Sequence, residues 1–303
     1  GRLAAESYGR VTSLALDPVE KKPLYHFFPG RRILSVGTYG CNLQCRFCQN
    51  SEISQQSPPD VGYDELPPET LVRLAADKRS IGIAYTYNEP LIWYEYVLDA
   101  SRLAHAEGLA NVLVTNGYVN PEPLAELLPY IDAMNVDIKS FREEFYRDIS
   151  GGRLAPVLDT VKASVKAGVL VETTTLIIPG HNDSDEELGE LAAWIAAEAG
   201  EDTPAHLSAY YQRYRFSAPP TPVETLARAY GIFRKRLKHV YIGNVAMEEG
   251  AHTRCRECGA LLIQRMGYST RKVDVGEGGS CGRCGADNKI VESIKRGPST
   301  SDK

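Results

Sequence analysis

Residues 37–50 read GTYGCNLQCRFCQN, and three of the seven cysteines, Cys41, Cys45 and Cys48, fall inside eight positions. The stretch follows RILSVG, a run with strand character, so the cysteines belong to a loop at the carboxyl end of a strand. A cubane 4Fe-4S cluster has four irons, each taking one protein ligand, and the Cys-x3-Cys-x2-Cys spacing offers three thiolates. One iron is then left open to a small molecule, as in catalytic rather than closed metal sites. The same spacing is also open to three other readings: buried structural cysteines, a zinc site completed by a distant histidine, or an electron-transfer cluster with a remote fourth cysteine.

Outward from this loop, residues 30–250 alternate short β-branched or aromatic runs with longer amphipathic ones. The strand-like runs are RILSVG, GIAYTY, NVLVTNG, AMNVDIK, LVETTTLIIPG, AHLSAYY and HVYIGNV. This is the βα rhythm of a parallel sheet, which predicts an α/β fold with a partial barrel of about six strands and a working face at the strands' carboxyl ends. Helix starts are expected at Asn120 before Pro121 and at a capping box of Ser184 with Glu187. Polar residues gather at the strand ends: Thr86, Asn88 and Glu89, then Thr115 and Asn116, then Asp137 and Lys139, then Thr173, Thr174 and Thr175. Turns are polar in general, but recurrence at several strand ends favours a shared site.

The chain has 303 residues, 43% hydrophobic and 24% charged, the proportions of an ordinary globular protein with one main unit and an accessory one. No apolar run approaches the ~18 residues of a membrane span, and residues 1–30 lack the apolar stretch of a signal peptide, so a cytoplasmic location is expected. A net charge of −5 gives no basic field to draw nucleic acid.

Near residue 250 the pattern changes to short β-like pieces with many glycines. Cys255-x2-Cys258 and Cys281-x2-Cys284 are each followed by Gly-Ala, the pattern of two tight knuckles around a closed tetrahedral site. Structural zinc is the expected occupant, with a rubredoxin-like iron or an auxiliary iron-sulfur cluster as the alternatives. Residues 252–291 carry seven Lys/Arg against four Asp/Glu, and four thiolates on zinc contribute about −2, so nucleic-acid binding is weakly supported and capping the barrel is favoured. The expected organisation is an N-terminal extension packed on the barrel over 1–29, the barrel over 30–250, a zinc-ribbon-like module over 251–293 and a disordered tail over 294–303.

The cysteine spacing, with the aromatic Phe47 just before the third cysteine, resembles the radical S-adenosylmethionine (SAM) enzymes. More narrowly, SLALDPVEKKPLYHFFPG, GIAYTYNEPLIWYEY, VLVTNGYVNPEPL, NVDIKSF, TTLIIPGHND and HVYIGNV make the chain similar, over residues 10–290, to the radical SAM member of the AmmeMemoRadiSam group and to activating enzymes of pyruvate formate-lyase. The resemblance implies a 4Fe-4S cluster on Cys41, Cys45 and Cys48, SAM on its open iron, and reductive cleavage to a 5'-deoxyadenosyl radical that takes hydrogen from substrate. It places Asn88 and Glu89 where many members have a Gly-Gly-Glu turn that receives the amino group of SAM, and adds Thr115, Asn116, Asp137, Lys139 and Thr174 as SAM contacts. His206 could approach adenine, and Tyr85, Tyr210 and Tyr211 could line the substrate side, although aromatics on barrel strands more often belong to the core. No catalytic acid or base is implied, because the reactive agent is the cofactor-derived radical. The implied partners are a small-molecule or protein substrate, an electron donor such as flavodoxin or ferredoxin, and Memo-like and AMMECR-like proteins. A glycyl-radical activase, or an iron-sulfur protein for electron transfer or redox sensing, are the rival functions.

Overall fold

The computed structural model describes residues 5–294, so the expected disordered tail lies outside the described residues from 295 onward. Ser13–Pro18 (β1) lies antiparallel on Arg32–Gly37 (β2), with Leu14 opposite Val36. From β2 the sheet runs on in parallel through Gly82–Tyr85 (β3), Ala110–Thr115 (β4), Ala133–Asp137 (β5), Leu170–Ile177 (β6), Ala205–Ala209 (β7) and Val240–Gly243 (β8). Strand order follows chain order, so every crossover steps the same way and the sheet stays open between β1 and β8. The crossovers carry Pro68–Asp77 (α1), Tyr94–Ala106 (α2), Pro121–Leu127 (α3), Leu154–Lys166 (α4), Asp185–Glu198 (α5) and Val223–Arg234 (α6). The six βα units expected are present, and β8 adds a seventh parallel strand.

Two helix starts differ in detail from the expectation. Asn120 precedes α3 with extended backbone and Pro121 in the first turn, but its side chain makes no capping bond. Ser184 Oγ accepts from the Glu187 N–H at 3.3 Å, half of a capping box. The Glu187 carboxylate does not return to the cap, because it is buried and accepts from the Phe141 N–H at 2.8 Å and the Ser140 hydroxyl, fixing the loop after β5.

Side chains alternate between the two faces of each strand. Leu34, Val36, Ile83, Tyr85, Leu113, Met134 and Val136 pack into one cluster with Leu71, Tyr96, Val97 and Val161 of the helices. The opposite face, with Ile33, Ala84, Ala110, Val112 and Ala133, carries none of these α-helices. It packs instead on Val19, Leu24 and Phe27. Residues 19–28 therefore run across the inner face of the sheet, tied to it by Asn135 Nδ2 donating to Pro23 O at 2.7 Å and by Glu172 accepting from the Tyr25 and His26 N–H groups.

After β8 come Thr253–Arg254 (β9), Leu261–Met266 (β10) and Ser269–Lys272 (β11), a three-stranded antiparallel ribbon. Its last residues return to the inner segment: Val291 N–H donates to His26 O and Phe28 N–H to Val291 O, both at 2.7 Å.

Candidate active site and four-cysteine centre

The cysteine loop begins where β2 presses on the end of β3. A Cβ on Gly37 would stand 2.5 Å from the Thr86 carbonyl oxygen, so only glycine permits this approach. Gly40 turns the chain at φ +86°. Beyond it Leu43, Cys45 and Phe47 point inward onto Phe145, Ile178 and Tyr210, while Asn42, Gln44 and Arg46 face out. Backbone bonds from Gln44 N to Ser150 O (2.7 Å) and Arg46 N to Ile149 O (3.1 Å) hold the loop. Phe47 meets Phe145 and Phe216 with ring centroids 5.8 and 6.0 Å away.

Cys41, Cys45 and Cys48 line one cavity of about 1270 Å³. Burial pushes the Cys41 thiol up to about 12, with the nearby Glu89 charge adding to it, and burial likewise raises Cys45. Sulfurs in such a setting become thiolates when a cation binds them. Leu43 N–H (3.4 Å) and Asn116 Nδ2 (3.7 Å) already donate to Cys41 Sγ, and Ser54 Oγ lies 3.0 Å from Cys48 Sγ. Three cysteine sulfurs on one cavity wall are a donor set that fits an iron-sulfur cluster.

The strand-end residues named from the sequence, Asn88, Glu89, Thr115, Asn116, Asp137, Lys139, Thr174 and His206, all line this same cavity, as does Phe47. Glu89 is buried; its carboxylate accepts from Thr115 Oγ1 and Asn116 N at 2.7 Å and from Leu91 N at 3.0 Å. Burial raises its pKa to about 7, against the pull of these donors. Lys139 donates to Asp137 at 2.7 Å. Burial disfavours the charge on Lys139, but Asp137 and the neighbouring Cys45 outweigh it and hold the ammonium protonated. Thr174 shares the inner face with Asp137 and His206, its register partners on β5 and β7, and its buried hydroxyl has no partner among the described residues.

Some residues do other work than expected. The Asn88 amide is engaged in the cysteine loop, accepting from Thr38 N at 3.1 Å and donating to Gly40 O at 2.9 Å. His206 is pinned through Nε2 to Glu172 at 2.6 Å. Tyr85, Tyr210 and Tyr211 do not line the cavity. Tyr85 falls on the helix face of β3 and contacts Asn111, Tyr210 packs beneath the cysteine loop, and Tyr211 is half exposed, donating to Asn244 O.

Other contributors were not singled out from the sequence. Tyr87 adopts φ +76°, a left-handed backbone that favours glycine. Its hydroxyl donates to Asp17 at 2.6 Å, and buried Lys22 donates to the same oxygen at 2.7 Å with Nζ 4.5 Å from the Tyr87 ring. Lys22, Glu172's neighbour Tyr25, and the ribbon hairpin Gln264–Arg265–Met266–Gly267–Tyr268 complete the cavity wall. The signal available for the first was the charged pattern DPVEKKP beside a strand; the hairpin carried none.

The four distal cysteines gather elsewhere. Their sulfurs all lie within 4.8 Å of one another, with Cys255–Cys284 at 3.6 Å and Cys258–Cys281 at 3.7 Å. A tetrahedral metal with bonds of about 2.3 Å spaces its sulfurs by about 3.8 Å, so the group fits one closed metal centre. The knuckles repeat each other: Gly259 and Gly285 take φ +71° and +73°, and Cys255 N and Cys281 N bond Ala260 O and Ala286 O.

The chain is similar in sequence and fold to known proteins. An uncharacterized protein of Methanocaldococcus jannaschii is 43% identical over 294 residues, 96% of this chain and 87% of its own length. The pyruvate formate-lyase-activating enzyme of Clostridium pasteurianum is 28% identical over 170 residues, 54% of this chain and 69% of its own. Among solved structures, a radical SAM methyltransferase from Sphaerobacter thermophilus shares the fold with a TM-score of 0.56 and 19% identity, covering 78% of this chain and 71% of that one. The Radical SAM superfamily model matches residues 35–195, from within β2 through the cysteine loop and the carboxyl ends of β2 to β6. With more than half of the chain inside that match, and its cysteine loop and strand ends turned to one cavity, the protein is an enzyme of the radical SAM superfamily.

Proposed function

We propose that Cys41, Cys45 and Cys48 hold a 4Fe-4S cluster, that SAM lies beside it over the strand ends, and that the enzyme removes a hydrogen atom from a substrate in the rest of the cavity. The observation that carries this reading is the convergence of three cysteines and eight strand-end polar residues on one cavity larger than the ~300–1,000 Å³ of an ordinary ligand site. Cluster and SAM, when bound, supply a 5'-deoxyadenosyl radical by one-electron cleavage of the sulfonium.

The chain's own residues have the tasks of binding, orienting and excluding water. Glu89 has three donors on a carboxylate with about four acceptor positions, which leaves one for an ammonium of the ligand. Asp137 and the Thr174 hydroxyl offer further polar contacts on the inner face. Lys139 supplies a fixed positive charge near Cys45. His206, held by Nε2, has its other ring nitrogen left for a ligand. Asn88 and Phe47 keep the cysteine loop in place. Zinc is the proposed occupant of the four-cysteine centre.

The phrases shared with the AmmeMemoRadiSam group support a place in that group, with Memo-like and AMMECR-like partners, a cytoplasmic location and a flavodoxin- or ferredoxin-type electron donor. No helix among the described residues is long and apolar enough to cross a membrane. A second reading, activation of a glycyl-radical protein, is supported by relatives named as activating enzymes, including that of benzylsuccinate synthase from Thauera aromatica at 24% identity. Anaerobic reconstitution, reduction with dithionite and addition of SAM test the core proposal. The expected product is 5'-deoxyadenosine from the intact chain and none from Cys48→Ser. A reconstituted, reduced chain that neither binds nor cleaves SAM sinks the reading in favour of electron transfer or sensing.

A further inference from the structure

The four-cysteine centre takes no part in the proposed chemistry, yet its hydrogen bonds lead into the cavity. Buried Asn288 donates from Nδ2 to Cys255 Sγ at 3.7 Å and to Ala286 O, in the second knuckle, at 2.8 Å, and accepts at Oδ1 from the Arg256 N–H at 2.8 Å. Its backbone carbonyl lies 2.9 Å from His26 Nδ1. A carbonyl only accepts, so His26 carries its proton on Nδ1, and burial holds its pKa well below the ordinary value, keeping it neutral. His26 Nε2 then accepts from the Tyr241 hydroxyl at 2.6 Å. Tyr241 in turn meets Thr253 Oγ1 at 2.8 Å, which accepts from the Arg265 guanidinium at 2.8 Å. The chain of donors therefore has one direction, fixed at one end by an arginine that only donates and at the other by a carbonyl.

The peptide groups of Tyr25 and His26 stand between the ribbon and the cavity. On the ribbon side, Arg265 Nη2 donates to Tyr25 O and Val291 N–H to His26 O, both at 2.7 Å. On the cavity side, His26 N–H donates to Glu172 Oε1 at 2.7 Å, and Tyr25 N–H to both Glu172 oxygens at 2.9 and 3.0 Å. Glu172 is fully buried and its Oε2 accepts from His206 Nε2 at 2.6 Å. That bond fixes which nitrogen of His206 is left to face a ligand.

We propose that metal occupancy of the four-cysteine centre sets the orientation of His206 in the cavity, with Asn288, His26 and Glu172 as the positioning residues; the proposal rests on the proposed function only in taking this cavity to be the SAM site. Without metal, the two knuckles that hold Asn288 through Cys255, Arg256 and Ala286 come apart and the clamp on residues 25–26 slackens. Glu172, deprived of aligned donors in a buried position, turns, and His206 loses its single tautomer.

The test uses the full chain without cluster or SAM. Long-range proton–nitrogen correlation spectra of the imidazoles are recorded for zinc-loaded protein, for protein after zinc withdrawal by a chelator, and for His26→Phe and Asn288→Ala, with zinc counted by mass spectrometry. The expected result is one Nε2–H tautomer of His206 with zinc bound, and an averaged two-tautomer pattern after withdrawal and in both variants, which keep their zinc. A ribbon that only adds stability lowers the melting temperature and leaves the tautomer alone. The proposal is overturned if the chain stays folded after withdrawal and keeps the single tautomer, or if the zinc-bound variants keep it; should withdrawal unfold the chain or one variant not fold, the remaining folded variant decides. Failure here leaves SAM cleavage untouched, and absence of 5'-deoxyadenosine leaves the tautomer result untouched.

Discussion

The carboxylate of Glu89 and the hydroxyl of Thr115 meet at 2.7 Å, joining the chain just beyond β3 to the last residue of β4 inside the cavity. In the folded chain without its cofactors Glu89 releases its proton at about 7, against an ordinary 4.5. Between those values the folded state holds more protons than the unfolded one, so stability falls as pH rises through this window and the loss is complete above about 7. The contribution is about 3 kcal/mol. The urea midpoint is expected to fall from pH 5 to pH 8, and the fall to shrink by that amount in Glu89→Gln. An unchanged fall in the variant would show that other groups carry it.

Lys22 and Tyr87 both donate to the same oxygen of Asp17. Burial favours the neutral acid of Asp17, but these donors outweigh it and hold the carboxyl well below its usual range. Lys22→Met leaves a charge with its main partner gone, at a cost of about 3 kcal/mol or more, whereas Asp17→Asn with Lys22→Met recovers most of it. Chemical denaturation of the four members of this cycle checks the coupling, and simple additivity would refute it.

Gly37→Ala sets a methyl group against the Thr86 carbonyl, a backbone atom that cannot swing aside. Separation of the ends of β2 and β3 is expected to cost about 1–3 kcal/mol. Iron content after reconstitution should fall with it, because the cysteine loop starts there. Wild-type melting temperature and iron content would speak against the close approach.

Thr174→Val removes a buried hydroxyl that has no partner among the described residues. The ligand-free protein should be as stable as the wild type or more so, while SAM affinity drops by roughly fivefold to tenfold, the worth of about one hydrogen bond. Equal SAM affinity in the two proteins, by equilibrium dialysis on the reconstituted chain, would remove Thr174 from the ligand site.

The parts of the site that depend on spacing within a few residues, or on strand alternation, were legible in the sequence. Cys41, Cys45 and Cys48 share one loop, and polar residues at the carboxyl ends of parallel strands face a common centre, which brought Asp137, Thr174 and His206 together. Alternation also explains Tyr85: it shares a face with Ile83, toward the helices. The ribbon hairpin and Glu172 were not legible, because their positions depend on contacts between Tyr25 and residues 147 and 240 positions away. Glu187 shows the same limit locally, since a capping box reads identically whether its carboxylate turns back to the cap or reaches Phe141.

His26 and Asn288 are 262 positions apart in the chain and bonded in the fold. During synthesis at ~5–20 residues per second, the inner segment emerges roughly ten to fifty seconds before the residues that fasten it. Through that interval the inner segment can already meet Asn135 and Glu172 of the sheet, while its bonds to the ribbon wait for sequence still to come. The bond between His26 and Asn288 is thus a contact of high sequence separation, open to the chain only once the ribbon has been made.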